Sequence, residues 1–186
     1  MNIDTELVEK IIKGEMNSFE ELINKYEKMI YNLAYRIFNN YSDAEDITQE
    51  VFLKVYRNIQ KCRGKESIKT WVYTIAYNTC IDEVRKRKGK INISLDMTLD
   101  SGDGDYKFEF ASKELTPENK LINKEEIKEI ENAINKLKEE HKTLIFLRDI
   151  KGLTYNEISE IMDINIGTVK SKLNRARTNL KNILKK

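Results

Sequence analysis

An all-α fold, two small helical domains joined by a flexible acidic linker, is predicted by three features of this 186-residue sequence. Apolar residues recur at helical spacing over most of its length, and alternation of β-branched residues is rare. There is one proline, Pro117. The helical period fails only in the middle, where from Ser94 to Glu118 seven acids face two bases and Gly102 and Gly104 interrupt. Such composition cannot bury enough apolar surface to fold alone. The expected units are residues 1–91, a linker over 92–116, and residues 117–186.

Residues from about 17 to 90 read as four helices. Phe19, Leu22, Ile23, Tyr26, Ile30, Leu33, Ala34 and Ile37 hold the helical period for five turns, the mark of a core helix. After Asn39 and Asn40 a second helix is expected, with Ser42 as cap and Glu45 three residues on as its capping box. Its inward stripe is Ala44, Ile47, Val51, Val55 and Ile59; the opposite face presents Asp43, Asp46, Gln49 and Glu50. Between Asn40 and Leu53 there are four acids and no base. The plain reading is a solvated face, and an acid/base or metal site is disfavoured because no histidine or second acidic cluster accompanies it.

A loop, Lys61 to Ser67, leads into a helix expected from Ile68 to Lys88 with Val72, Ile75, Ala76 and Thr79 inward. Trp71, Asn78, Asp82 and Arg85 line a neighbouring face, and Arg85 to Lys90 holds five bases in six positions. Bases at a helix C-terminus are favoured by the dipole alone. An aromatic, an amide and a basic end also suit single-stranded nucleic acid, which needs stacking and phosphate neutralisation.

Past the linker, Thr116-Pro117 is a cap followed by proline at the first helical position. Ile127, Ile130, Ile134 and Leu137 make one helix, and His141 to Ile150 another; the lone His141 reads as structural. From Leu153 to Arg177 two short amphipathic helices flank a tight turn. Ile158, Ile161 and Met162 give the first its stripe, and Asp163 stands where a left-handed residue must stop it. Ile164 fills the angle, Asn165 caps the second helix towards Thr168, and Val169, Leu173 and Ala176 face inward. Outward lie Lys170, Ser171, Lys172, Asn174 and Arg175. From Ile166 onward there are seven bases and no acid. This is the pattern of a helix-turn-helix whose second helix enters the DNA major groove; the plainer alternative is a solvated basic helix. Six of the seven glycines fall at breaks between helical patterns, Gly167 being the exception.

Composition excludes several classes. A charged fraction of 34% against 40% hydrophobic residues suits a water-exposed protein, and the net charge of +2 conceals the local asymmetries. Two cysteines, Cys62 and Cys80, are too few for a disulfide framework or zinc knuckle. No signal-peptide core or membrane-length apolar run occurs, so no membrane insertion is expected and a cytoplasmic location is. Without a phosphate-binding loop or H-E-x-x-H pattern, no enzyme, metal or cofactor is expected.

The order of parts is familiar. Phe19 to Ile23, Asp43 to Phe52, Lys69 to Asn78 and Asp82 to Arg87 resemble sigma region 2, and Leu153 to Arg177 resembles sigma region 4. Together they resemble an extracytoplasmic-function (ECF) sigma factor of bacterial RNA polymerase, of the sigma-70 family. That resemblance implies a non-catalytic factor that binds core polymerase and directs promoter-specific initiation by reading −10 and −35 elements. It puts core-polymerase binding on Asp43, Asp46, Gln49 and Glu50, against the clamp coiled coil of the largest subunit, with the flap as a further polymerase contact. It implies −10 contacts from Arg63, Lys65, Ser67, Trp71, Asn78 and Arg85. It places Thr168, Lys170, Ser171, Lys172, Asn174, Arg175 and Arg177 at the −35 element, with Lys172 and Arg177 on phosphates. An anti-sigma factor, in many cases membrane-anchored, is the implied regulator. Family members usually have glycine where Asp163 stands, alanine at Ser159, arginine at Tyr77 and proline at Lys138. The competing reading is a stand-alone helix-turn-helix regulator with an N-terminal sensing or dimerisation domain, which would bind its operator tightly without polymerase.

Overall fold

In a computed structural model, the structure describes residues 3–62, 67–91 and 129–185, and among these there is helix and turn but no strand. Helix α1 (Ile3–Ile12) buries Leu7, Val8 and Ile11. Gly14, at φ +92, then turns the chain into α2 (Met16–Phe38). Leu22, Ile30 and Leu33 of α2 are fully buried, each contributing about 1.5–3 kcal/mol of hydrophobic stabilisation. Asn39 closes α2 in the left-handed conformation, φ 52, its N–H donating to the Tyr35 carbonyl at 2.8 Å. Asparagine tolerates this because its short polar side chain adds little steric cost there.

Helix α3 (Tyr41–Asn58) starts one residue earlier than its expected cap: Asn40, not Ser42, caps it, accepting from the Asp43 N–H at 3.0 Å. A 3₁₀ turn (Ile59–Cys62) ends it, and α4 (Ile68–Ile91) follows. Gly89 lies inside α4 rather than at a break. Three α-helices and a 3₁₀ turn thus occupy the described part of 17–90, and α1, unread in the sequence, precedes them. The expected linker, the Thr116-Pro117 start and Ile127 lie outside the described residues.

The second unit contains α5 (helical over 129–135), α6 (Glu139–Ile145), a π-helical turn (Phe146–Ile150), α7 (Tyr155–Met162) and α8 (Ile166–Leu184). The π turn splits the single helix expected from His141 to Ile150, the Phe146 and Leu147 carbonyls accepting from the Lys151 and Leu153 N–H groups. The two units pack together, α4 on α7 and α2 on α6, and their buried residues form one continuous cluster. This explains why α4 is buried beyond its expected stripe at Tyr73, which lies near Glu157 of α7; Cys80, on the side near Lys54 and Glu50 of α3, is fully buried as well.

Candidate nucleic-acid interface

The helix-turn-helix assembles as its local chemistry dictates. Thr154 and Glu157 form a complete capping box at the start of α7, a T-x-x-E signal present in the sequence and unread there. Asp163 ends α7 at φ 52, and Asn165 caps α8, accepting from the Thr168 N–H at 2.8 Å and its hydroxyl at 2.9 Å. The Ser159 hydroxyl donates to the Ile164 carbonyl across the turn. A non-glycine stop and a serine thus coexist: the serine secures the turn at which aspartate takes the left-handed position.

Helix α8 buries Val169, Leu173 and Ala176 and leaves Lys170, Ser171, Asn174 and Arg175 exposed on one face. Thr168 is half-buried and engaged with the cap. Lys172 and Arg177 lie differently. The Lys172 ammonium pairs with Glu140 of α6. Arg177 grips Asp149 with two nitrogens, one of them Nε at 3.1 Å, and that carboxylate raises the guanidinium pKa. Both cations therefore fasten α8 to its own domain. Tyr155 sits between the Arg148 guanidinium, 4.7 Å from its ring centre, and the Lys170 ammonium at 5.8 Å.

On α3 the four acidic-face residues divide. Asp46 and Gln49 are exposed. Asp43 is held by Arg87 of α4 through two contacts, Nη1–Oδ2 at 2.7 Å and Nη2–Oδ1 at 2.8 Å, which keep its carboxyl below the usual carboxylate range. Glu83 adds a contact to Arg87 Nε at 3.0 Å, and the guanidinium lies 4.9 Å from the Phe38 ring centre. Glu50 holds Lys54 Nζ at 2.8 Å, and the same ammonium donates to Thr79 Oγ1 at 3.1 Å.

Between α3 and α4 runs an open groove of about 430 Å³ whose walls include Trp71, Asn78 and Asp82 on one side and Lys54, Asn58 and Lys61 on the other. Trp71 is half-buried and Asn78 exposed. Arg85 is exposed, 3.7 Å from Asp82. Ser67 acts as the α4 cap, its Oγ accepting from the Thr70 N–H at 3.1 Å and bonding the Thr70 hydroxyl at 2.9 Å. Arg63 and Lys65 lie outside the described residues. Lys54, Asn58 and Lys61 are groove residues that sequence reasoning missed; their signal was the polar 50-54-58 spacing on α3, in register with a third helix face. Among the described residues no group of three or more His, Cys, Asp or Glu side chains could hold a metal, and no helix is long and apolar enough to cross a membrane.

Where the two units meet, charge is buried. Arg36 of α2 is nearly enclosed, and burial pulls its guanidinium down to about 10. Burial also lowers Lys142 of α6, with Arg36 adding to the effect. Tyr73 is fully enclosed with its hydroxyl unbonded; burial, and then Glu157 of α7, raise its pKa.

An exposed basic recognition face and, on the other unit, an aromatic and amide groove define a helix-turn-helix protein made for nucleic acid, and the comparisons say which kind. Residues 22–90 match Sigma-70 region 2, and residues 127–180 match Sigma-70, region 4. The ECF RNA polymerase sigma factor SigW of Bacillus subtilis is 33% identical over 178 residues, 96% of this chain and 95% of its own. The ECF RNA polymerase sigma-E factor of Escherichia coli is 33% identical over 180 residues, 96% of this chain and 93% of its own. The fold is shared with the sigma factor RpoE from Bartonella quintana, solved with the anti-sigma factor NepR (TM-score 0.71, 22% identity, 90% of this chain and 96% of that one). It is shared also with CnrH, solved with the cytosolic domain of CnrY (TM-score 0.69, 17% identity, 99% and 98%). The chain belongs to the ECF RNA polymerase sigma factors of the sigma-70 family. Proteins of this kind are non-enzymatic initiation factors.

Proposed function

We propose that this chain does no chemistry of its own and works as three accessible surfaces: a docking face on α3, a single-strand groove between α3 and α4, and a major-groove face on α8. The observation that carries this reading is the sorting of charge. Asp46, Gln49, Lys170, Ser171, Asn174 and Arg175 are exposed, whereas Asp43, Lys172 and Arg177 are spent on ion pairs within the chain. Charge complementarity makes Asp46 the docking centre for the polymerase clamp coiled coil, with the Gln49 amide and the Glu50 carboxylate beside it. The polymerase flap is a further contact. Trp71 offers a stacking wall and Asn78 a base-edge partner for the opened −10 strand, with Lys61 and Arg85 on phosphates. Lys170, Ser171, Asn174 and Arg175 face −35 bases. Polymerase then separates the two units, whose mutual packing already carries buried charge, and the linker permits it. The working compartment is the cytoplasm, and a proteinaceous anti-sigma factor is the regulator.

Transcription in vitro with core polymerase, with and without the chain, on a panel of promoters tests this. Asp46→Ala with Gln49→Ala should abolish binding to core while the helical circular dichroism is retained. Retained binding sinks the docking assignment, and tight operator binding without polymerase would restore the stand-alone regulator.

A further inference from the structure

Lys54 links two of these surfaces. Its ammonium is shared by Glu50, 2.8 Å away on the docking helix, and by the Thr79 hydroxyl, 3.1 Å away on the far side of the groove. Its stem lines the groove with Asn58 and Trp71. Asn58 fixes the local backbone by donating to the Lys54 carbonyl at 2.8 Å, so the side chain is the part free to move.

We infer that Lys54 is a groove cation held in reserve, released when a basic partner claims Glu50. The inference rests on the proposed docking face and single-strand groove. Both partners of the pair are well exposed, 37% and 42%, and exposed pairs at this spacing are weak. A polymerase cation that binds Glu50 therefore displaces Lys54 at little cost. The freed ammonium keeps only a neutral hydroxyl partner and sits in a groove beside Trp71 and Asn78, where a single strand brings phosphates. Docking thereby adds one positive charge to the strand path. Free chain, with Glu50 in place, holds that charge neutralised, and its grip on single strands is correspondingly weaker.

The test measures anisotropy of a fluorescein-labelled oligothymidine of about 12 nucleotides, against full-length free chain and against the chain bound to core polymerase, over a salt series. One added phosphate contact on a single strand steepens the log–log salt slope by about 0.7, which is about eightfold in affinity at ~50 mM salt. Glu50→Gln in the free chain should gain that affinity and slope. Glu50→Gln with Lys54→Met should lose both, and Glu50→Gln with Lys54→Arg should keep them. Bound to core, Lys54→Met should lose about eightfold and about 0.7 of slope against the unaltered chain. Equal gains in Glu50→Gln and Glu50→Gln/Lys54→Met would show that only a negative charge was removed, and would overturn the inference. So would an unchanged slope for Lys54→Met bound to core. If the unaltered chain on core neither transcribes nor binds the strand, the proposed function fails instead; the free-chain comparison still decides the role of Lys54.

Discussion

Asp43 is the residue on which sequence and structure part most sharply, and its removal can be predicted in detail. Asp43→Asn keeps the shape and deletes the charge. It breaks the two-pronged grip of Arg87, at 2.7 and 2.8 Å, and leaves Arg87 with Glu83 at 3.0 Å. An exposed ion pair contributes about 0.2–1 kcal/mol, and bidentate geometry places this one near the top of that range. Asp43 also lies in the first turn of α3, where a negative charge contributes about 0.5 kcal/mol against the helix dipole. The expected loss is about 1–1.5 kcal/mol, which shifts a urea midpoint by about 0.5–0.75 M at a slope of about 2 kcal/mol per molar. A double-mutant cycle with Arg87→Met isolates the pair from the dipole. The acid limb gives a second measure. The folded carboxyl ionises below its ordinary 3.8, so its stabilisation is complete above that value and fades as pH falls through the folded pKa. The variant should therefore lose part of its stability difference from the unaltered protein below about pH 4. Core binding should change less than twofold, whereas Asp46→Asn should cost more than tenfold, as removal of one charge from an interfacial pair does. Loss of core binding by Asp43→Asn without a shift in the urea midpoint would refute the assignment, making Asp43 a docking group and its pair incidental.

Four further outcomes follow from the same geometry. Arg175→Ala should cost about 1–3 kcal/mol at one −35 position in a competition assay across base substitutions, and an equal loss on every sequence would demote it to a phosphate contact. Lys172→Ala should instead lower stability, because its partner is Glu140; its promoter affinity should fall without any change in base preference. Tyr73→Phe removes a buried hydroxyl that has no hydrogen-bond partner, so the urea midpoint should rise by the equivalent of about 1 kcal/mol. A fall would reveal a bond that the hydroxyl makes. Ser159→Ala should lose about 1 kcal/mol through the turn contact with Ile164, read as a lower thermal midpoint.

Much of the fold was legible because its signals are local. The stripe of α2 from Leu22 to Ile37, the left-handed stop at Asp163 and the Asn165 cap all depend on residues within a turn or so of each other. Where local cues competed, the reading slipped. Ser42 and Asn40 are both good caps, and Asn40 took the role because Asn39 ends α2 directly before it. The π turn at Phe146–Ile150 has no periodic signature at all. The expected stripe of α4, Val72, Ile75, Ala76 and Thr79, covers only part of its buried surface. Its second apolar side, with Tyr73 beside Glu157, is used by α7.

The candidate surfaces divide in the same way. Which faces are acidic, basic or aromatic is written in residue type and helical spacing, so the sequence by itself determined that α3 is acidic outward and α8 basic outward. Which of those charges remain available was decided only by tertiary structure. Asp43 meets Arg87 across 44 residues, Lys172 meets Glu140 across 32, and Arg177 meets Asp149 across 28. Pattern rules reach three or four residues along a helix, and pairs of this separation come together only when packing of the apolar faces brings their helices side by side.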